Sequence, residues 1–426
     1  MVNKILPILL FVSIYLLSSC AVRYNTLSSL SVASEAVDFQ SVPGDSFFEE
    51  NYLVWFEQPI DHNDPGVGTF KQRVWLSHKD VAAPVVMVTE GYSAPAPYKS
   101  ELADLLNANQ IVVEHRFFGA SVPEGMPWKY LTIEQAASDH QQILKYFQQL
   151  YKGNWVTTGI SKGGQAAIIH RALYPKQVDA TVTYVAPFNL EMEDKRLISF
   201  FETVGTVEER RKIRNFQVEI LNRRNDIMPH FEDWVNAKGL SFSLDLDQVF
   251  ELSVLEYPFS LWQWCVPLNE IPQHNASSQE LFDHLYRGID FSYFSEQEAI
   301  ATGPFFYQAY TQLGYYAYDA SYLKNYLVHF NTDIVSNELM VPEVGFDPVF
   351  DISGIEKVSR RLQKADARML HIIGANDPWS ATSPDVTGLK NSIQIVDPHG
   401  CHLTRINNLP DDLKLKVKEI LTDWVD

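Results

Sequence analysis

The fold is decided by residues 155–175, WVTTGISKGGQAAIIHRALYP. The β-favouring run WVTT opens this stretch, and a helix pattern extends from Lys162 to Tyr174, where Pro175 ends it. Between the two lies the pattern Gly-x-Ser-x-Gly, with its serine at position 161. In this setting the pattern indicates a tight strand-to-helix turn that exposes the serine hydroxyl above the carboxyl edge of a sheet.

Ser161 is the candidate nucleophile of this turn. Glycines at 159 and 163 would let strand and helix approach closely, and the backbone N–H of Lys162 would lie at the helix N-terminus. An N–H in that position can donate to an oxyanion that develops on a substrate. We therefore predict Ser161 as nucleophile and the Lys162 N–H as an oxyanion donor. The alternative is a glycine-rich helix start without catalysis.

Strand and helix patterns alternate on both sides of the turn. Strand patterns lie at 52–60, 69–77, 84–90, 111–114, 180–185, 368–373 and 392–396. Helices are predicted at 132–149 and 411–424. The alternation of strand and helix predicts a parallel sheet with crossover helices. Together with the serine turn it indicates an α/β-hydrolase fold.

The middle of the chain has a different pattern. From about 188 to 347, charged helical stretches alternate with aromatic-rich ones, and few strand patterns occur. The sheet needs only a few more strand–helix units there, so many of these residues must lie outside it. We predict an α/β-hydrolase domain at 46–187 and 348–426 with an inserted helical cap domain at 188–347.

A serine hydroxyl needs a base and a carboxylate, because it is a weak nucleophile near neutral pH. In this fold the acid follows the serine, and the histidine follows the acid. Asp377 comes after the strand pattern at 368–373, and His402 comes after the one at 392–396. We therefore predict Asp377 as the orienting acid and His402 as the base.

His399 competes with His402 for the role of base. Gly400 would permit a tight loop that turns the following side chain over the sheet edge, which favours His402. His399, Cys401 and His402 could instead ligate a metal, or Cys401 could pair with His402 as a nucleophile. No HExxH or paired CxxC pattern accompanies them, and neighbours in an extended chain point in opposite directions. We therefore predict no metal and no other cofactor.

The second oxyanion donor of this fold comes from the turn after the third strand. Glu90, Gly91 and Tyr92 occupy that turn in the predicted strand order. Their position predicts the Tyr92 backbone N–H as the second donor.

The charge balance restricts the partners. The 426 residues include 34 basic and 53 acidic ones, for a net charge of −19. Most faces of such a surface would repel a phosphate backbone, which argues against nucleic acid as a partner.

The N-terminus predicts export. An apolar run at 5–17 is shorter than the roughly 20 residues of a membrane-spanning helix, and LSSC follows at 17–20. The segment resembles a bacterial lipoprotein signal, in which residues 1–19 are removed and Cys20 becomes a lipid anchor. An ordinary signal peptide with an accidental cysteine is the alternative.

The Ser-rich residues 20–45 would form a flexible tether to the membrane. Ala21 favours the outer membrane by analogy with lipoprotein sorting, and either face of that membrane remains open. The two remaining cysteines, Cys265 and Cys401, could form a disulfide in an oxidising compartment or stay as buried free thiols.

Several motifs resemble one peptidase family. TGISKGG (158–164), TVTYVAP (181–187), DPWS (377–380) and HLTR (402–405) resemble motifs of the secreted prolyl tripeptidyl aminopeptidases, serine peptidase family 37. FEQPIDH (56–62) and EHRFFG (114–119) are also similar to their relatives, the lysosomal Pro-Xaa carboxypeptidases and dipeptidyl peptidases. The resemblance extends from about residue 52 to the C-terminus, except for the predicted insertion.

The resemblance implies release of short peptides, possibly tripeptides, from the free N-terminus of a polypeptide, often after Pro. It also implies that the serine, aspartate and histidine named above form the triad. Such a substrate carries an ammonium group, and Glu90 beside the oxyanion turn is the candidate carboxylate to bind it. Glu90 and Glu114 could equally be buried partners of Arg116.

Two other functions fit the same residues. A carboxylesterase uses the same triad, and a peptide-binding lipoprotein could keep the fold without its chemistry. The length of the released peptide and the oligomeric state remain open.

Overall fold

The computed structural model describes residues 37–331 and 338–425. Its strands are β1 (Val37–Ser41), β2 (Glu50–Pro59), β3 (Thr69–His78), β4 (Val85–Thr89), β5 (Asn109–Val113), β6 (Trp155–Ile160), β7 (Ala180–Tyr184), β8 (Met369–Gly374) and β9 (Ser392–Asp397). They form one nine-stranded sheet in the order β1-β2-β3-β5-β4-β6-β7-β8-β9. β1, β2, β3 and β5 pair antiparallel, whereas the pairs from β5 across to β9 are parallel.

Helices lie between and after these strands. Their bounds are α1 (Glu101–Leu105), α2 (Ile133–Phe147), α3 (Lys162–Leu173), α4 (Arg196–Thr203), α5 (Val207–Asn222), α6 (Arg224–Lys238), α7 (Leu246–Gln263), α8 (Ser278–Gly288), α9 (Glu296–Gln308), α10 (Ser353–Ala365) and α11 (Asp411–Val425). The predicted parallel sheet with crossover helices is confirmed, and the chain has the α/β-hydrolase fold.

Helices cover both faces of the parallel strands. α2, α3 and α10 contribute to an apolar core on one face, and α1 and α11 contribute to a core on the other. Every residue of β4, β5 and β7 is buried as a result. The continuous apolar runs that predicted these strands are therefore a consequence of two-sided burial.

The N-terminal part of the sheet differs from the prediction. β1 pairs with β2 from Val37 opposite Phe56 to Ser41 opposite Tyr52, so residues 37–41 belong to the sheet and not to a tether. Val37 is buried in the same core cluster as Phe56, which holds the strand in place. The predicted signal peptide, Cys20 and the tether up to residue 36 lie outside the described residues.

The segment between β7 and β8 is helical. α4 to α9 lie there, and in the described ranges this segment contributes no strand to the sheet. Its aromatic residues form a core of their own that includes Phe231, Phe250 and Phe291. No helix in residues 37–331 and 338–425 is both long and apolar enough to cross a membrane.

A disulfide joins this helical segment to the sheet. Cys265 follows the end of α7, Cys401 lies in the loop after β9, and the two are bonded with a Cα–Cα distance of 5.8 Å. Of the two possibilities left open by the sequence, the structure therefore has the bridge rather than free thiols.

Candidate active site

Ser161 lies in the turn between β6 and α3 with strained backbone angles. Its φ of 54° and ψ of −125° are unusual for a residue with a side chain, and such strain is typical of a nucleophile elbow. The turn is too tight for larger neighbours: a Cβ on Gly159 would lie 2.2 Å from the carbonyl carbon of Gly163. The backbone N–H of Ser161 donates to the Tyr184 carbonyl at 2.9 Å, which ties the turn to β7.

Asp377 and His402 form a hydrogen-bonded pair at the ends of β8 and β9. His402 Nδ1 lies 3.0 Å from Oδ2 and 3.1 Å from Oδ1 of Asp377, and both side chains are buried. The carboxylate also accepts the Ser380 hydroxyl at 2.7 Å and the Trp379 backbone N–H at 3.2 Å. Because Nδ1 of His402 is bonded to Asp377, Nε2 is the imidazole nitrogen that can face a substrate.

The loop that carries His402 packs tightly on the end of β8. A Cβ on Gly374 would lie 2.5 Å from the backbone of Gly400, so the loop needs small residues at both positions. His399 is exposed on this loop. Cys401 is oxidised in the disulfide, so its sulfur is not available as a thiolate ligand or nucleophile.

A cavity of about 910 Å³ opens above the elbow. Ser161 and His402 line it from the hydrolase domain, and Gln263 and Trp264 line it from the end of α7. The Trp264 ring meets the His402 ring edge to face at 5.8 Å. In the described part of the chain no hydrogen bond joins Ser161 Oγ to His402, so proton transfer between them remains a prediction. Apo sites often show such hydrogen bonds long or poorly aligned.

The loop after β4 borders the same cavity. Tyr92 lines it, and Gly91 lies against the elbow, since a Cβ there would be 2.6 Å from the Cβ of Lys162 and 2.7 Å from the Gly163 nitrogen. Among residues 37–331 and 338–425, no acceptor is bonded to the Tyr92 N–H. The Lys162 N–H opens α3, where N–H groups of the first turn lack helical acceptors.

Glu90 also lines the cavity. Its Oε1 accepts the hydroxyl of Tyr98 at 2.6 Å, and burial together with the nearby charge of Glu114 raises its pKa above the usual value. Its second carboxylate oxygen accepts no hydrogen bond from a described residue. The carboxylate therefore lies where the charged end of a substrate could reach it.

The alternative pairing of Glu90 and Glu114 with Arg116 is wrong. Arg116 is fully buried and makes a two-point pair with Asp139 of α2, with N–O distances of 2.6 and 2.7 Å. Glu114 instead pairs with Arg73 at 2.7 Å. Sequence proximity suggested the pairing, but the bend after β5 directs neighbouring side chains to different elements.

Two residues at the site were not identified from sequence. Ser380 lies one helical turn after Asp377 and could have been found as a local donor to that carboxylate. Glu256 of α7 lines the cavity among aromatic residues, and nothing in its sequence context distinguishes it from other acidic residues of the insertion.

These features define an α/β-hydrolase with a serine elbow, a histidine–carboxylate pair and a cavity beneath a helical segment. A model of the PS-10 peptidase S37 family matches residues 26–426, and the chain belongs to this family. The predicted resemblance is thereby confirmed, and the protein is a serine peptidase.

The chain is similar to several known proteins. The chain is 32% identical to prolyl tri/tetrapeptidyl aminopeptidase of Streptomyces mobaraensis, over 94% of this chain and 87% of the relative. It is 22% identical to lysosomal Pro-X carboxypeptidase of Homo sapiens, over 57% of this chain and 58% of the relative. The proline iminopeptidase structure from Mycobacterium smegmatis superimposes with a TM-score of 0.46 and 14% identity, over 91% of this chain and 98% of that one.

Proposed function

We propose that this protein is a serine exopeptidase that releases short peptides from free N-termini, with a preference for cleavage after Pro. The observation that carries the proposal is that His402, paired with the buried Asp377, lines the same cavity as the strained Ser161. Membership of a peptidase family and the name of the similar Streptomyces enzyme support the substrate class.

In the proposed acylation step, Ser161 Oγ attacks the carbonyl carbon of the scissile peptide bond. His402 Nε2 accepts the hydroxyl proton and then donates it to the leaving amine. Asp377 holds the imidazole by its Nδ1–H and stabilises the positive charge that the ring acquires. The C–N bond breaks, the C-terminal part of the substrate leaves as a free amine, and the N-terminal peptide remains as an ester on Ser161.

The oxyanion of each tetrahedral intermediate would accept hydrogen bonds from the backbone N–H groups of Lys162 and Tyr92. Preorganised donors of this kind act strongly because they need no reorganisation when the charge develops. In deacylation a water molecule attacks the ester carbon while His402 accepts one of its protons. The bond between this carbon and Ser161 Oγ then breaks, His402 returns the proton to Oγ, and the free peptide leaves.

Selection of a free N-terminus would come from Glu90. Its carboxylate borders the cavity near Tyr92, and a cationic amine is the complementary substrate group. We expect Glu90→Gln to lower kcat/KM for peptides with a free N-terminus by about tenfold or more, since a charge-assisted hydrogen bond contributes about 1.5–3 kcal/mol. Acetylated peptides should be affected much less. Equal losses on both peptide sets would exclude Glu90 as the amine anchor.

The activity is tested with paired peptide libraries, N-terminally free and blocked, with product lengths read by mass spectrometry. A fluorophosphonate should label the wild type at Ser161, and Ser161→Ala should abolish labelling and cleavage. Hydrolysis of acyl esters without cleavage of peptides would favour a carboxylesterase. No adduct on folded protein would favour a peptide-binding protein without catalysis.

We propose further that the protein is exported and anchored by a lipid on Cys20 in the bacterial outer membrane. The apolar run at 5–17 followed by LSSC supports this. Labelling of cells with an alkyne fatty acid should mark the wild-type protein and not Cys20→Ser. Equal absence of label in both would exclude the anchor.

A further inference from the structure

Lys162 buries its side chain as well as supplying a backbone N–H. Only 3% of the residue is exposed, and burial lowers the pKa of its amine well below the usual value. No carboxylate in the described ranges forms an ion pair with it. Burying an amine without a charged partner costs free energy. The contact that this amine does make is therefore a candidate for a specific role.

That contact is a hydrogen bond to the loop after β4. Lys162 Nζ donates to the Gly91 carbonyl at 2.7 Å. The side chain lies near two aromatic rings, with Nζ 5.6 Å from the centre of the Tyr92 ring and 5.0 Å from that of Phe118. The amine is thus held between the Gly91 carbonyl and these two rings.

The Gly91 carbonyl and the Tyr92 N–H belong to the same peptide unit. In a trans peptide these two groups point in opposite directions. A donor that holds the Gly91 carbonyl therefore directs the Tyr92 N–H away from the Lys162 amine, and Tyr92 lines the cavity.

Gly91 makes this peptide free to rotate. A residue without Cβ has access to backbone angles that others avoid, so the orientation of the Gly91–Tyr92 peptide is not fixed by its own sterics. Contact with the elbow fixes its position, because a Cβ on Gly91 would overlap Lys162 and Gly163. Without the amine, the carbonyl could turn to the cavity and repel a developing oxyanion.

We propose that the Lys162 side chain is a positioning residue that holds the Gly91–Tyr92 peptide with its N–H directed at the substrate oxygen. This inference rests on the proposed serine peptidase mechanism. One residue would then supply the first oxyanion donor from its backbone and orient the second through its side chain.

The test compares Lys162→Met with the wild type on a peptide substrate. Loss of one oxyanion donor lowers kcat by about 100- to 1000-fold, so we expect a decrease of at least about 100-fold in kcat, with KM changed by less than about threefold. A peptide boronate, which forms a tetrahedral adduct on Ser161, should lose affinity by a similar factor. The affinity for the released product peptide should stay unchanged.

Lys79→Met is the matched control. Lys79 Nζ also donates to a backbone carbonyl, that of Phe47, at 3.1 Å and lies 3.4 Å from the centre of the Phe47 ring, but Lys79 is partly exposed and does not line the cavity. Its kcat and boronate affinity should equal those of the wild type. If Lys162→Met does not fold, Lys162→Gln carries the test, since it keeps a neutral donor and should show a smaller loss of the same kind.

Wild-type kcat in Lys162→Met, or equal losses of boronate and product affinity, would overturn the positioning role. If the wild type itself neither binds the boronate nor cleaves peptides, the proposed function fails. The two failures are therefore distinguishable.

Discussion

The position of the Asp377 carboxylate depends on a hydrogen bond from a neighbouring hydroxyl. The Ser380 hydroxyl donates to the same carboxylate oxygen, Oδ2, that lies closest to His402 Nδ1. This bond restrains the carboxylate in a buried site where a missing donor costs about 1–3 kcal/mol. The orientation of the imidazole therefore rests on Ser380 as well as on Asp377.

We expect Ser380→Ala to lower kcat by about tenfold and to change KM little, because the imidazole would be less well oriented in the transition state. Steady-state kinetics and the rate of fluorophosphonate labelling measure the effect. Ser383→Ala is the control, since the Ser383 hydroxyl accepts a hydrogen bond from the Gln394 side-chain amide and is not bonded to Asp377. Equal kcat for Ser380→Ala and wild type would contradict the prediction.

Glu256 is a second residue whose surroundings change its pKa and, through it, the pH dependence of stability. It accepts hydrogen bonds from Tyr316 at 2.6 Å and Ser260 at 2.9 Å, and burial raises its pKa to about 7. The folded state thus binds its proton more tightly than the unfolded state, whose carboxyl titrates near 4.5. Its contribution to stability is full below about pH 4.5 and is lost as the pH rises to about 7.

We expect Glu256→Gln to remove this loss. At about pH 8 the variant should be more stable than the wild type by on the order of 3 kcal/mol, and near pH 4.5 the difference should vanish. Urea unfolding at several pH values measures it. Glu280→Gln is the control, because hydrogen bonds from Ser277 lower the pKa of Glu280 and the effect should have the opposite sign. Parallel pH profiles for wild type and Glu256→Gln would contradict the prediction.

At the scale of elements, α7 is connected to the loop of His402 by three contacts. Cys265, two residues beyond the helix, is bonded to Cys401. The His402 backbone N–H donates to the Gln263 carbonyl at 3.0 Å, and the Trp264 ring lies against the imidazole. The helical segment therefore supports the catalytic loop directly.

We expect the double variant Cys265→Ser/Cys401→Ser to lose both stability and activity. With a sequence separation of 136 between the cysteines, loop closure in the unfolded chain corresponds to about 4–5 kcal/mol, and the freed loop should lower kcat. Thermal unfolding and kinetics, with and without reductant, measure both effects. Reductant should shift the wild type toward the variant and leave the variant unchanged. A variant with wild-type unfolding temperature would contradict the prediction.

At the scale of the whole molecule, we expect the charge distribution to favour cationic substrates. The net charge is −19, and in the described part of the chain four acidic residues, Glu90, Glu256, Asp290 and Glu298, line the cavity together with Arg405. Such a field raises the encounter rate with positive peptides and is screened by salt.

We expect kcat/KM for a Lys-containing peptide to fall severalfold between about 10 and 300 mM salt, because screening weakens the attraction. A matched peptide with Glu in place of Lys should show a flat or rising profile. Equal salt dependence of the two peptides would contradict the prediction.

Local sequence patterns predicted the sheet around Ser161, the parallel strand–helix alternation and the chain order of serine, aspartate and histidine. These follow from local patterns, because strand and helix periodicities and the tight turn are encoded within a few residues of each other. The topology then places the ends of β6, β8 and β9 at one edge of the sheet.

Which side chains meet depends on how distant segments pack together, and this could not be predicted from the sequence. The Arg116–Asp139 pair, the Cys265–Cys401 bond and the Lys162–Gly91 contact join residues whose separation in sequence gives no sign of their distance in space. The hydrophobic periodicity of a helix or strand indicates which of its faces is buried, but it does not indicate which neighbouring element covers that face. That choice is made when the helical segment and the loops pack over the sheet edge.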